Sequence, residues 1–103
     1  SRKNLMFELS DAFAVLPGGF GTLDETFEII TWRQLRLHDK PIVVIDVDGY
    51  WRPLLRLIDH VIGRGFARPE YRGLFTVVND VNDVIAAIRK EPEPSIPDRP
   101  SRL

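Results

Sequence analysis

The stretch Ala12-Phe13-Ala14-Val15-Leu16-Pro17-Gly18-Gly19-Phe20-Gly21-Thr22 decides how this chain folds. Its first five residues are wholly apolar and are stopped by Pro17-Gly18-Gly19, the pattern of a short strand covered on both faces of a parallel sheet. From Thr22 to about His38 the apolar residues Leu23, Phe27, Ile30 and Leu37 then fall at helical spacing, with Ile29 and Trp32 widening the stripe. Strand, glycine loop and helix in this order open a strand-helix-strand unit.

Outward from that stretch, Pro41 to Val47 is β-branched almost throughout and reads as a central parallel strand, with Asp48-Gly49 as the turn behind it. Pro53 suits a first helical turn; Leu54, Ile58, Val61 and Ile62 share one face, and Gly63 and Gly65 end that helix. Leu74 to Val78 is a further strand, and Asn79 or Asp80 can cap a last helix whose face is Val81, Val84, Ile85 and Ile88, ending near Lys90. On the other side, Leu5, Met6 and Leu9 among Arg2, Lys3 and Glu8 predict a short amphipathic helix over residues 2–9. Pro92, Pro94, Pro97 and Pro100 predict an extended or disordered tail over 91–103.

The alternation implies an α/β fold, a Rossmann-like parallel sheet with helices on both faces. Three short strands would leave the strand at 12–16 with an open hydrophobic edge, so further strands are expected beside it. The chain also starts at Ser1 directly inside a predicted helix. Residues 1–90 are therefore expected to be the C-terminal part of a single domain, about its C-terminal half.

Composition narrows the function. A chain of 103 residues holds one small domain or part of one, and 44% apolar with 28% charged residues excludes disorder for most of it. Fourteen Lys+Arg against fifteen Asp+Glu leave a net charge of -1, no field for DNA, RNA or a membrane surface. With no cysteine there is no disulfide framework, thiolate nucleophile or Cys-ligated zinc, which fits a cytoplasmic protein. No apolar run approaches the roughly 18 to 20 residues of a membrane span.

The loop Pro17-Gly18-Gly19-Phe20-Gly21-Thr22 joins the carboxyl end of a strand to a helix, the place where open α/β sheets bind ligands. Its glycines let backbone N–H groups approach an anion, and the helix N-terminus adds unpaired donors, so a phosphate fits. A tight turn needing positive φ is the plainer reading of the same glycines. The loop is neither a Walker A motif nor a full dinucleotide fingerprint. Thr22-Leu23-Asp24-Glu25 fits a capping box, with Thr22 as N-cap. The same position would also put the Glu25 carboxylate beside whatever the loop binds, and spacing leaves cap and catalyst both open. Arg2 and Lys3 by themselves read as a solvated helix end, and Arg64, Arg68 and Arg72 as a solvated connection. His38 and His60 fall on different helices without a ligand cluster, and Ser10 lacks a nucleophile elbow, so neither a metal site nor a serine hydrolase is indicated.

The run from Arg2-Lys3 and Met6 through Pro17-Gly18-Gly19-Phe20-Gly21-Thr22-Leu23-Asp24-Glu25 resembles the LONELY GUY family, formerly labelled "possible lysine decarboxylases", which carries an Arg-Lys pair upstream of PGGxGTxxE. Trp32-Arg33-Gln34-Leu35, His38-Asp39-Lys40-Pro41 and Asp48-Gly49-Tyr50-Trp51 are similar to it as well. The resemblance implies a cytokinin-activating phosphoribohydrolase that cuts an N6-modified adenosine 5'-monophosphate into free base and ribose 5-phosphate. By that resemblance Arg2 and Glu25 are the catalytic pair, Lys3 and Pro17 help bind, and Gly18, Gly19, Gly21 and Thr22 hold the 5'-phosphate. It implies no metal or cofactor; the decarboxylase label would require a Schiff-base lysine, and no lysine here is singled out for one. It also implies a homodimer or larger assembly, for which the wide stripe around Trp32 would be the contact. Family members are nearly twice as long, and their first half supplies part of the nucleotide pocket. Two other readings stand beside the enzyme: a non-catalytic nucleotide- or phosphate-binding module, which would need the glycine loop but not Arg2 and Glu25, and a fragment that associates with another chain.

Overall fold

The computed structural model describes residues 6–9 and 11–91. Its four strands are β1 (Met6–Glu8), β2 (Phe13–Val15), β3 (Ile42–Ile45) and β4 (Thr76–Val78), in sheet order β1-β2-β3-β4. β2, β3 and β4 run parallel, with Val15 opposite Val44 and Val44 opposite Val77; β1 is antiparallel to β2, with Met6 opposite Val15. Between them lie α1 (Phe20–Gln34) and α2 (Arg52–Gly63), and α3 (Val84–Arg89) follows β4. The α/β class and the parallel order are as expected.

Alternation of side chains assigns each strand residue to one of two cores. Phe13, Val15, Ile42 and Val44 face α1 and α2, where they meet Ile29, Ile30, Trp51 and Ile58. Ala14, Val43 and Ile45 face α3 and meet Val84 and Ala87. Every residue of β3 is buried, because it has a strand on each side and helices above and below. Truncating one of the fully buried side chains, such as Ile29 or Ile42, removes packing worth about 2 to 5 kcal/mol.

Several boundaries differ from the sequence expectation. The helix expected over 2–9 is not formed at Met6–Glu8, which is a strand lying along the edge of β2; the rest of that expectation, residues 2–5, lies outside the described residues. Lys40, buried two residues before β3, fixes this edge, since its Nζ donates to Glu8 Oε2 at 3.0 Å and lies over the Phe13 ring. The tail beyond Glu91 also lies outside the described residues.

The helix expected to reach His38 stops at Gln34. Arg36 takes a left-handed φ of 63°, and its N–H returns to Arg33 O while Leu37 N–H returns to Trp32 O, the paired bonds of a Schellman stop. α2 ends by the same device, with Gly65 at φ 85° and Phe66 N–H bonded to Val61 O. There the glycine announces the stop; at Arg36 nothing in the sequence does.

The segment around Arg68 and Arg72, expected as a plain connection, holds a 3-10 helix over Pro69–Leu74, and Arg72 Nε meets Asp59 Oδ1 at 3.0 Å. The last helix is shorter than expected: Asp80 Oδ1 accepts from Asn82 N–H, a 3-10 turn covers Val81–Asp83, and α3 begins only at Val84. Val81 and Ile85 are exposed, and Ala87 takes their expected place in the core. Arg33 ties α1 to the segment just before β4 and to the segment just after α3, donating to Leu74 O and to Glu91 Oε1, each at 2.9 Å. Among the described residues no helix is long and apolar enough to cross a membrane.

Candidate functional site

Two of the loops at the carboxyl ends of the parallel strands are 16–19 after β2 and 46–51 after β3. They touch: the Tyr50 hydroxyl donates to the Gly18 carbonyl. The second loop is held from below by Asp46, whose buried carboxylate accepts from Trp51 N–H at 2.7 Å, and it turns through left-handed Asp48 and Gly49.

The glycine loop does not use positive φ, so the plain tight-turn reading fails; among the described glycines the left-handed ones are Gly49 and Gly65. Glycine is required at 18 for a different reason. A Cβ there would lie 2.9 Å from Thr22 Cβ and closer still to Thr22 Oγ1, because the loop backbone lies directly on that side chain. Gly19 faces open space and is the N-cap of α1, with φ -98° and no side-chain capping bond.

The capping box is therefore corrected. Thr22 lies inside the helix, buried against Gly18, and its carbonyl accepts from Thr26 Oγ1 at 2.6 Å. What Thr22 can offer a ligand is its backbone N–H. The first bond of α1 runs from Leu23 N–H to Gly19 O, so the amides of Phe20, Gly21 and Thr22 before it have no acceptor within the helix. No acidic residue stands in the first turn to compete for them. These donors, at the positive end of a helix of 15 residues, suit an anion.

Glu25 follows one turn later. Its Oε1 is shielded from solvent and has no hydrogen-bond partner among the described residues, which is costly for a carboxylate unless a donor comes from elsewhere. The candidates Arg2 and Lys3 lie outside the described residues; Pro17, Gly18, Gly19, Gly21, Thr22 and Glu25 are brought together at one end of the sheet. Tyr50 enters the sequence reading only as part of the family-like run Asp48-Gly49-Tyr50-Trp51, with no role assigned, and Asp46 does not enter it as a site residue. Their signal was the turn Asp48-Gly49 behind a strand, which marks the same carboxyl end as the glycine loop.

Two other features are not part of this site. His38 Nδ1 accepts from Lys40 N–H at 3.1 Å, which leaves Nε2 as the donor to Ile29 O at 2.9 Å, so the ring fastens α1 to the segment that leads into β3. Lys40 itself, paired with Glu8, sits at the amino end of the sheet, away from the glycine loop. A Schiff-base lysine beside a phosphate cradle is therefore not what Lys40 provides.

The family model described as "Possible lysine decarboxylase" matches residues 1–88. Among curated proteins, a cytokinin riboside 5'-monophosphate phosphoribohydrolase of Rhodococcoides fascians is 50% identical over 88 residues, covering 85% of this chain and 44% of that protein. A probable enzyme of the same name from Oryza sativa subsp. japonica is 44% identical over 89 residues, 86% of this chain and 36% of its own length. A further one from Arabidopsis thaliana is 42% identical over 89 residues, 86% of this chain and 41% of its own. The chain thus spans less than half the length of these relatives.

Proposed function

Since this chain belongs to the possible lysine decarboxylase family, the family of the LONELY GUY proteins, we propose that the complete protein is a nucleotide N-glycosidase of the cytokinin-activating type. It hydrolyses an N6-modified adenosine 5'-monophosphate to the free base and ribose 5-phosphate. Residues 1–90 are then the C-terminal part of one longer Rossmann-like domain. The observation that carries the reading is the uncapped glycine loop at the N-terminus of α1, one turn ahead of a shielded carboxylate without a partner. The backbone amides of Gly19, Gly21 and Thr22 and the Pro17-Gly18 bend receive the 5'-phosphate. Glu25 stabilises the positive charge that grows on the ribose as the glycosidic bond breaks, and polarises the attacking water. Arg2 is the second member of the catalytic pair and holds the ribose or base in fixed geometry, and Lys3 helps bind the substrate. The reaction takes place in the cytoplasm, where nucleoside monophosphates are held.

Because the loop contributes binding only when a phosphate is present, the complete protein should release base from the nucleotide and leave the nucleoside intact. Chromatography of products from both substrates checks this, and equal turnover of the two would overturn it.

The protein acts as a homodimer or larger homo-oligomer. Ile29 and Ile30 of the apolar stripe are spent on this chain's own core, so Trp32 and the exposed rings of Phe20 and Phe27 supply the contact. Sedimentation of the complete protein at micromolar concentration should give a dimer or larger species; a monomer would contradict it.

A further inference from the structure

We infer that Tyr50 is a positioning residue for the phosphate cradle, an assignment that rests on the reading of the glycine loop as the phosphate site. In a planar trans peptide the C=O and the following N–H point in opposite directions. The hydrogen bond from the Tyr50 hydroxyl to the Gly18 carbonyl therefore also sets the direction of the Gly19 N–H, which turns away from the tyrosine. Gly18 rests on Thr22 on one side of that peptide, while Gly19 on the other faces open space and has no side chain, so no packing of Gly19 sets where its N–H points. The tyrosine adds a constraint on direction to the contact with Thr22.

Tyr50 is equipped to do so. Its N–H bonds Val47 O at 3.0 Å across the left-handed pair Asp48 and Gly49, and its ring meets the Trp51 ring edge-on at 4.9 Å between centroids. Trp51 is anchored by its N–H to the buried Asp46 carboxylate. A chain of contacts thus runs from the end of β3 to the loop after β2, and a hydroxyl at the end of a rigid ring reaches across 32 positions of sequence. Half of the tyrosine is exposed, so the hydroxyl is not needed to satisfy a buried core. Its contribution is to direction, and pre-set direction favours binding of an anion by sparing the loop that ordering step.

The test is Tyr50→Phe in the complete protein, which removes one oxygen and keeps the ring. Affinity for inorganic phosphate and for ribose 5-phosphate, by titration calorimetry, should fall about threefold to tenfold. KM for the nucleotide should rise with it while kcat stays within about twofold, and adenine, which lacks a phosphate, should bind the variant as it binds the wild type. A residue that merely supports the fold would lower the melting temperature and weaken adenine and phosphate alike. Equal phosphate affinity in wild type and variant, or an equal loss for adenine, overturns the role of Tyr50 and leaves the phosphate reading of the loop intact. A wild-type protein that binds neither phosphate compound overturns that reading itself, and the positioning role with it.

Discussion

Glu25→Gln in the complete protein should lower nucleotide turnover by about 100- to 1000-fold while leaving the melting temperature nearly unchanged. The two halves of this expectation come from different facts. α1 starts at Phe20 with Gly19 as its cap, so Glu25 has no capping bond to lose. A neutral amide is also easier to bury than a carboxylate whose Oε1 finds no partner among the described residues. The loss of rate follows because glutamine keeps the shape but cannot offer negative charge to a developing ribosyl cation. Arg2→Ala, measured beside it, should also abolish turnover and leave a folded protein. Turnover close to that of the wild type in the glutamine variant would remove Glu25 from the chemistry and return the loop to a binding role alone.

Gly18→Ala should cost about 1 to 3 kcal/mol of stability and most of the affinity for ribose 5-phosphate. The new methyl would meet Thr22 Cβ at 2.9 Å, and that atom belongs to a buried side chain in the helix, so it has nowhere to swing. Either the loop lifts from the helix or the first turn of α1 unwinds, and both disturb the row of free amides. Gly19→Ala is the comparison: its Cβ meets nothing within 4 Å, so no clash arises, and stability should fall only by the about 0.5 to 1 kcal/mol that makes alanine a poorer N-cap than glycine. Denaturant unfolding of both variants checks the pair. If the two proved equally stable, the close packing of the loop on Thr22 would not be what demands a glycine at 18.

The contrast between these neighbouring glycines shows where sequence reading stops. Glycines at 18, 19 and 21 announce a backbone that comes close to something, but the reason at Gly18 is a contact with Thr22 that spacing alone does not reveal. The capping box fails for the same cause. Thr22 and Glu25 stand at the right spacing, yet burial of Thr22 under the loop moves the cap to Gly19. Spacing is necessary for such a motif, and tertiary packing decides whether it is used.

Local pattern by itself determined the α/β class, the strand after Asp11 and the helix behind its glycine loop, the central buried strand Ile42–Ile45, and the stop at Gly65. These are features in which burial repeats at a fixed period, or in which one residue type alone tolerates the backbone required. Tertiary structure alone decided the rest. Met6–Glu8 became a strand because β2 offered it an unpaired edge and Lys40 a partner for Glu8, neither of which is local. Arg36 accepted a left-handed turn that its own type disfavours, because His38 and β3 hold the chain beyond it. The hydroxyl of Tyr50 reached Gly18 because two parallel strands end side by side, a proximity created by the sheet and recorded in no periodicity of the chain.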